Sequence, residues 1–525
     1  MKKILSLFVS VLVLASCNDL ELTPLGSLTG SNFPLTDNDA VAAVNGVYTA
    51  NSELSSSWTY IGDAASDATQ FGEAVTGDGE ASLALLQYGP SNEVVAYVWD
   101  VLFQGITTAN AAINNISASE NISEPLKTRL VNEAKFLRGL YYFYAVQAWG
   151  DVPLILNSNE GICASRTDVD KVYEQIVKDL TDATGLPDAS TLSGTDKGRA
   201  SKGAAYTLLA KVNLTWGQTL GGDNAKFDAA VKAAEQVTGY ELEEDFNANW
   251  SSSKRNGKEN IFSAHHVLSQ FALADGGNHW THCAFATTFD DKTPHVAIAD
   301  ISFYNSFDDR DQRKKGSYAK KYTELSAQKV STFAGTQQEW ETKEFTLPRY
   351  RKAIDVENIE TTNNNRDLDR TILRYADLLL LKAEAINERD HAPNAAAYDA
   401  INTVRRRAFN KEANPAAFDL KTGLTYEQFR NAVREERGFE FVYEQQRWFD
   451  LARWRILVKA SQDAGKNAKS GDKSGSPAKA KNAELKHYHF PIPQSERNKN
   501  PEGLWQNWGY DGSTVKDNPY QQGFE

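Results

Sequence analysis

The chain has 525 residues, of which 41% are hydrophobic and 11% aromatic, so it is long and apolar enough to bury a large core. Its formal net charge is −13, and no dense basic stripe occurs on a predicted helix. Both features argue against nucleic acid as a partner. Only three cysteines are present, which excludes a disulfide-rich scaffold.

The N-terminus has the pattern of an export signal. Two lysines precede an apolar run over 4–14, which ends at small residues directly before Cys17. The run is too short for a bilayer-spanning helix, which needs about 20 apolar residues. A cysteine at this point predicts a bacterial lipoprotein signal over 1–16, lipid on Cys17, and a single-domain mature body over 17–525. The alternative is an ordinary cysteine within a longer signal peptide.

The first distinctive stretch of the mature body is rich in loops. Residues 52–90 contain several glycines and aromatic rings without a sustained helical period, which predicts an irregular excursion from the surrounding scaffold. Just beyond it, Trp99 precedes Phe103 and Asn110 on a predicted helix, and we assign its ring to the core.

Paired helices form the predicted scaffold, which covers about 126–240 and about 370–460. Apolar periodicity predicts helices at 126–149, 169–183, 204–216, 227–238, 375–388, 395–409 and 426–456, the last broken near 443–446. These pairs resemble tetratricopeptide units, in which each pair leaves an apolar face that only a neighbouring pair can cover. We therefore predict a mainly α fold with a tetratricopeptide-like helical-pair scaffold and irregular, short-strand excursion loops.

Two further segments depart from the helical pattern. Residues 240–350 contain a pair of glycines, scattered aromatic rings and a short β-like run at 260–264, and they predict a second excursion. Residues 464–486 are rich in Lys, Ala, Ser and Gly without apolar periodicity, which predicts a flexible surface loop. Because function concentrates on loops held by a rigid scaffold, the two excursions are the predicted functional regions.

Several motifs along the chain resemble those of one known family. They are EAKFLR at 133–138, GDVP at 150–153, RYADL at 374–378, RWFDL at 447–451 and PIPQSE at 491–496. In this order, from the lipoprotein signal to near Glu525, the chain resembles the SusD/RagB lipoproteins. It departs from the family pattern at Gly438, Gln445 and Trp508, all within scaffold motifs.

The resemblance implies a lipid-anchored outer-membrane protein that faces the cell surface and carries out no catalysis, with no cofactor. Such a protein binds oligosaccharide or polysaccharide and delivers it to a partner, a SusC-like TonB-dependent β-barrel transporter. The alternatives are a peptide-capturing lid of the RagB kind, a lipid-anchored hydrolase and a structural plug without a ligand. The sequence lacks the nucleophile and metal motifs that a hydrolase would use.

A glycan site needs flat aromatic platforms beside polar groups, because sugars present CH faces and hydroxyl edges. Phe71 and Trp280 lie in the most polar parts of the two excursions and are the first candidates. The other candidates in the excursions are Trp58, Tyr60, Asp67, Tyr88, His279, Phe289 and Trp340. For each ring the alternative is a place in the core, since large aromatic side chains are highly buried on average.

Three charged or metal-type clusters have simpler explanations than a reactive site. His279, His282 and Cys283 lack the further ligands of known zinc patterns, so we predict no metal there. The acidic run at 308–311 lacks the spacing of a calcium loop and predicts ion pairs. The glutamates at 436, 440 and 444 share one helical face, where Arg437, Arg447 and Arg453 are predicted to balance them in a scaffold network. Whether Cys163 and Cys283 form a disulfide stays open.

Overall fold

The structure is a computed structural model that describes residues 33–71, 78–157, 164–266, 297–321, 331–333, 336–338, 344–352, 368–467 and 476–519. The predicted signal at 1–16 and the pair Cys163 and Cys283 lie outside these ranges. Within them, no helix combines the length and the apolar content that crossing a bilayer requires.

Helices make up most of the described chain, which confirms the mainly α prediction. In chain order they are α1 (Asp37–Thr59), α2 (Asp78–Ala84), α3 (Glu93–Ala118), α4 (Glu124–Trp149), α5 (Val169–Ala183), α6 (Lys202–Thr219), α7 (Asn224–Glu235), α8 (Ile301–Ser306), α9 (Gln312–Ser317), α10 (Tyr375–Asp390), α11 (Ala395–Ala408), α12 (Tyr426–Phe441), α13 (Arg447–Arg453), α14 (Leu457–Asn467), α15 (Ser476–Asn482) and α16 (Gln494–Lys499).

The long helices stack in chain order, and each covers an apolar face of its neighbour. Helix α4 packs against α3 and α5, α7 packs on α6, and α10 packs on α7, α11 and α12. Residues 136–146 of α4 are all buried, because this helix lies between other helices. Helix α5 begins where Asp168 accepts a hydrogen bond from the backbone N–H of Asp170, as its capping pattern predicts. The helices predicted in both scaffold regions are confirmed.

The chain turns sharply between α12 and α13, at the predicted break. Tyr443 and Gln445 adopt the left-handed conformation, with φ of 59° and 63°. The turn packs on a π-helical segment, Tyr60–Ala64. A Cβ atom at Gly62 would lie 2.3 Å from the carbonyl oxygen of Gln445, so this contact requires glycine.

The described strands are short. They are β1 (Thr69–Phe71), β2 (Val152–Pro153), β3 (Arg166–Thr167), β4 (Asn260–Ala264), β5 (Ala297–Ala299), β6 (Tyr318–Lys321), β7 (Ser331–Phe333), β8 (Thr336–Gln338), β9 (Glu344–Tyr350) and β10 (Arg370–Arg374). One sheet has the order β1-β5-β9-β6, while β10 pairs with β4, β2 with β3, and β7 with β8. Strand β4 confirms the run predicted at 260–264.

The four-stranded sheet joins the two predicted excursions. Strand β1 belongs to the first excursion, whereas β5, β9 and β6 belong to the second. Strands β1 and β5 are antiparallel with Phe71 opposite Ala297. Strands β5 and β9 are also antiparallel, with Ile298 opposite Arg349. Two segments that the sequence presents as separate are therefore parts of one sheet.

The first excursion is more regular than its sequence predicts. Helix α1 continues to Thr59, the π-helical segment follows directly, and α2 forms after β1. Of the glycines that suggested loops, Gly62 serves a close approach of two backbones.

The segment predicted as a flexible loop at 464–486 is also partly helical. Helices α14 and α15 pack against each other, and the part between them, 468–475, lies outside the described residues. Lys479 of α15 is buried, and its Nζ donates to the carbonyl oxygens of Ala64 at 2.8 Å, Ser66 at 2.6 Å and Thr69 at 2.7 Å. Helix α15 is therefore fixed to the chain around the start of β1, because its lysine donates hydrogen bonds to three backbone carbonyl groups there.

A cluster of buried charges lies where the scaffold meets the second excursion. We call it the central ion-pair cluster; its members are Glu259, Asp311, Arg313, Lys352, Arg374, Arg405, Arg407, Glu436, Glu440 and Glu444. Arg374 contacts Glu440 at 2.6 Å, Glu259 at 2.7 Å and Glu444 at 2.8 Å. Cationic and anionic members are equal in number, so the desolvated charges balance.

The glutamates of α12 therefore form a scaffold network, as predicted, but with other partners. Glu436 and Glu440 pair with Arg313 of α9 at 2.7 and 2.9 Å. Arg437, which the sequence assigns to them, instead contacts Asp377 and Asp450. Burial alone would raise the pKa of Glu440, but Arg407, Arg374 and Arg313 hold that pKa well below its ordinary value.

Replacing Arg374 with methionine should destabilise the fold strongly. The substitution keeps an apolar stem but leaves three buried carboxylates under-neutralised, which costs about 3–5 kcal/mol. Urea unfolding followed by circular dichroism measures this change. The control is Arg406→Met, because Arg406 and Asp419 form an exposed pair expected to contribute less than about 1 kcal/mol. Equal losses from the two variants would contradict the role assigned to the cluster.

Candidate functional site

The end of β1 is the point where the two excursions meet. Phe71 closes β1 and lies opposite Ala297, the first residue of β5. The residues that precede Ala297 in the chain, 267–296, lie outside the described ranges. We call this place the β1–β5 edge, defined by Phe71 and Ala297.

Four of the predicted ligand residues lie outside the described residues. His279, Trp280 and Phe289 belong to 267–296, and Trp340 belongs to 339–343. For Phe71 the structure describes the backbone only. These residues stay candidates, and their positions along the chain can still be compared through the strands that flank them.

The flanking strands separate Trp340 from the other loop candidates. Strands β6 and β9 pair from Tyr318 opposite Tyr350 to Lys321 opposite Glu344. Because neighbouring strands of this sheet are antiparallel, the Lys321–Glu344 pair lies at the end opposite to the β1–β5 edge. Strand β9, which follows Trp340 in the chain, therefore begins at the end of the sheet opposite to the β1–β5 edge.

Three candidate rings of the first excursion, Trp58, Tyr60 and Tyr88, lie in the core. A place in the core is the alternative that the sequence leaves open for each ring. Trp58 is 3% exposed and stacks on Phe449 with ring centroids 4.9 Å apart. Tyr60 and Tyr88 are also buried, and Tyr88 packs on Phe490. Rings covered in this way offer no open face to a glycan. Trp99 is buried as predicted.

Asp67 holds a scaffold helix. Its two carboxylate oxygens accept hydrogen bonds from Nε and Nη2 of Arg447, each at 2.8 Å. This bidentate pair fastens the start of α13 to the chain just before β1. This ion pair therefore fixes the chain just before β1 to helix α13.

The acidic run at 308–311 forms ion pairs, as its spacing predicts. Asp308 contacts Arg310 at 2.6 Å, Asp309 contacts Lys314 at 2.6 Å and Asp311 contacts Arg313. Among the described residues, no three His, Cys, Asp or Glu side chains gather as metal ligands would. The trio of His279, His282 and Cys283 lies outside them.

A wide cleft opens between the end of α4 and the C-terminal part of the chain, and no motif in the sequence predicts it. It has a volume of about 360 Å³ and is lined by the ends of α4 and α6, by α13 and by the chain that follows α15. We call it the C-terminal cleft; the lining side chains used below are Asp151, Arg453, Arg455, His489, Trp505 and Trp508. The one sequence signal was Trp508, which departs from the family pattern.

One wall of the cleft is rigid. The Arg166 guanidinium lies 4.9 Å from the ring centroid of Trp505. Its Nη1 donates to the carbonyl oxygen of Trp505 at 2.7 Å, and its Nη2 donates to Oδ1 of Asn507 at 2.7 Å. Asn507 in turn donates to the carbonyl oxygen of Trp149 at 3.0 Å. These bonds fix the C-terminal chain on the end of α4.

The floor of the cleft rests on a second group of buried charges. Arg453 contacts Glu384 at 2.7 Å and Asp450 at 2.9 Å. Trp454 also donates its indole N–H to Glu384 at 2.6 Å. Burial would raise the pKa of Glu384, but the guanidinium of Arg453 outweighs burial and lowers that pKa to about 2.

His489 lines the cleft as a neutral imidazole. Burial, together with the positive charges of Arg166 and Arg455, lowers the pKa of His489 to about 4. At neutral pH its ring therefore carries one N–H donor and one acceptor nitrogen.

Sequence profiles of known families match both halves of the chain. The profile described as SusD family matches residues 227–510, and the one described as starch-binding associating with outer membrane matches 43–214. A third, described as a prokaryotic membrane lipoprotein lipid attachment site, matches residues 1–18. The chain therefore carries the lipoprotein attachment site that its sequence predicts.

Relatives that match most of the chain are also described as SusD-like. SusD-like protein P2 of Formosa agariphila is 28% identical over 477 residues, which is 86% of this chain and 90% of the relative. A SusD homolog from Bacteroides thetaiotaomicron is 26% identical with a TM-score of 0.78, over 91% of this chain and 98% of that structure. A laminarin-binding SusD-like protein shares the fold at 23% identity and a TM-score of 0.68, over 90% of this chain and 100% of the other.

Acid should weaken the contribution of Glu384 to stability. The pKa of this group falls on folding from 4.5 to about 2, so its stabilisation is present above about pH 4.5 and is lost as pH falls toward 2. Such a shift corresponds to about 3 kcal/mol. The difference in unfolding free energy between the wild type and Glu384→Gln should therefore shrink between pH 5 and pH 2.

A difference measurement is needed because other carboxyl groups act in the opposite sense. Burial raises the pKa values of Glu133 and Asp179, and their effects cancel in the comparison. Asp463→Asn is the control, because Asp463 forms exposed pairs with Lys459 and Lys466. A wild-type advantage over Glu384→Gln that stays constant down to pH 2 would contradict the assignment.

Proposed function

Because the chain belongs to the SusD family, we propose that it is a lipid-anchored glycan-capturing protein of the outer membrane. It binds oligosaccharide or polysaccharide at the β1–β5 edge, with Phe71 and Trp280 as aromatic platforms. The observation that carries this proposal is the pairing of Phe71 with Ala297, which brings the two excursions together.

The sheet supports a shared site in a simple way. A single ring gives little affinity for a sugar, whereas two rings from separate segments can contact both faces or successive residues of a glycan. His279, Trp280 and Phe289 precede β5 in the chain, and the first residue of β5 pairs with the end of β1; they are proposed as further contacts of the same site. Trp340, which precedes β9 in the chain, is proposed as a lesser contact.

The fold neighbours agree with a glycan ligand. One structural neighbour is described as a complex with xylogluco-oligosaccharide and another as laminarin binding. Both share the fold with this chain. They support the class of ligand and leave open which sugar, linkage and length this chain takes.

We further propose that Cys17 carries the lipid and that the body faces the cell surface. There it would hand its ligand to a SusC-like TonB-dependent β-barrel. The matched lipoprotein attachment site supports the anchor. The partner follows from family membership, and co-purification of the tagged full-length lipoprotein from outer membranes with a barrel protein tests it.

The protein is proposed to bind its glycan without cleaving it. The glutamates that might serve as an acid and a base, Glu436 and Glu440, are buried and paired with arginines, so neither can reach a sugar. Incubation of the purified protein with the polysaccharide that it binds should release no soluble sugar. Released oligosaccharides would favour the hydrolase alternative.

Loss of either platform should weaken binding. Trp280→Ala is expected to raise the Kd for the bound oligosaccharide about tenfold or more, because a central aromatic contact commonly contributes 2 kcal/mol. Phe71→Ala should act in the same direction. Isothermal titration against a panel of polysaccharides and their oligosaccharides measures the change.

Trp340→Ala is the matched control, since it removes a ring of the same excursion that precedes β9 rather than β5 in the chain. It should change the Kd less than Trp280→Ala. If the two variants behave alike, or if peptides bind where no glycan does, the proposed site or ligand class is incorrect. Peptide binding would favour the RagB-like alternative.

A further inference from the structure

The C-terminal cleft has the size and walls of a ligand site, and it is separate from the β1–β5 edge. Its volume of about 360 Å³ falls within the range of about 300–1,000 Å³ that is typical of small-ligand sites. No residue of β1, β5, β6 or β9 lines it. An occupant of the cleft would therefore leave the edge of the sheet open.

The side chains of the cleft suit a sugar. Trp505 and Trp508 are half-buried and so keep part of each indole accessible. Asp151 and the neutral imidazole of His489 stand beside them and can bond hydroxyl groups. Flat rings with adjoining hydrogen-bonding groups match the CH faces and hydroxyl edges of a pyranose.

Arg455 lies at the rim of the cleft, and its backbone has a strained, left-handed conformation. Its φ is 58°, and its N–H bonds the carbonyl oxygen of Ala452 at the end of α13. Glycine is the usual residue at such a helix end, because other residues are strained in the left-handed conformation. A glycine would lack the side chain, whose Nη2 donates to the carbonyl oxygen of Thr219 at 3.4 Å; both residues line the cleft, so the guanidinium lies at its wall.

We propose that the C-terminal cleft is a second carbohydrate subsite that takes one or two sugar rings, with Trp508 as platform and Arg455 as hydrogen-bond donor. This inference rests on the proposed function. Two sites on one chain raise the apparent affinity for a polymer above that for a short oligosaccharide, because the second contact becomes intramolecular.

The test uses the full mature chain and linear glucan and xylan oligosaccharides of graded length, with neutral and uronate-bearing forms. Titration calorimetry gives the stoichiometry, and the part of the tryptophan fluorescence change that is lost in Trp508→Ala reports the cleft. The wild type should bind two short oligosaccharides per chain. Trp508→Ala and Arg455→Gly should each bind one, and should lower the affinity for the matching polysaccharide at least tenfold. Trp280→Ala should also bind one.

Arg455→Gly separates binding from folding, because glycine relieves the strained backbone and should leave the melting temperature equal or higher. His391→Gly is the matched control: His391 has a φ of 51° at the end of α10, far along the chain from the cleft. It should leave both stoichiometry and affinity unchanged.

The outcomes separate the two proposals. One bound oligosaccharide that disappears in Trp280→Ala and persists in both cleft variants overturns the second subsite and leaves the proposed function intact. One that disappears only in the cleft variants supports the cleft and overturns the β1–β5 site. No binding of any glycan to the wild type overturns both.

Discussion

The central ion-pair cluster is the constraint on which the arrangement of the molecule depends. Each of its charges is expensive to remove from water, so the cluster exists only where every member finds its partners. Those partners come from distant parts of the chain: Glu259 precedes β4, Arg313 lies on α9 and Lys352 follows β9, while Arg374 ends β10 and Glu440 lies on α12. The cluster thus fixes the second excursion on the scaffold in one register. Apolar packing alone would tolerate small shifts of the second excursion. A shift that separates a buried carboxylate from its arginine partner would be strongly unfavourable.

Other polar contacts extend this constraint to the sheet. Lys479 donates to two carbonyl groups before β1 and to that of Thr69, its first residue, and Asp67 holds α13 through Arg447. Gly62 allows the turn after α12 to approach the π-helical segment. The β1–β5 edge is consequently supported from several sides by rigid parts of the fold, which suits a site that must present aromatic rings in fixed positions.

The sequence predicts much of the scaffold and little of the long-range pairing. Helix α5 was predicted with its bounds, because Asp168 caps a clear apolar stripe, and the break after α12 was visible as well. The register of β1 on β5 was not predictable, since two three-residue strands far apart in the chain leave no local signal. The segment 464–486, which contains Lys479, is predicted as a flexible surface loop because composition does not show which lysines find carbonyl partners. Trp58 and Tyr88 are buried by Phe449 and Phe490, which only the fold brings close. The sequence therefore does not distinguish these core rings from exposed candidates. The arginine partners predicted for Glu436 and Glu440 were wrong for the same reason, because Arg313 comes close only in the fold.

The central claim is that two segments separated in sequence bind one glycan at one edge of a sheet. Hydrogen–deuterium exchange of the mature protein, with and without a saturating oligosaccharide, tests it without altering any side chain. The account predicts slower exchange in the peptides that cover the end of β1 and in those that cover 267–296, with the same dependence on ligand concentration. Protection of only one of these regions, or of neither, at a concentration that saturates binding would contradict it.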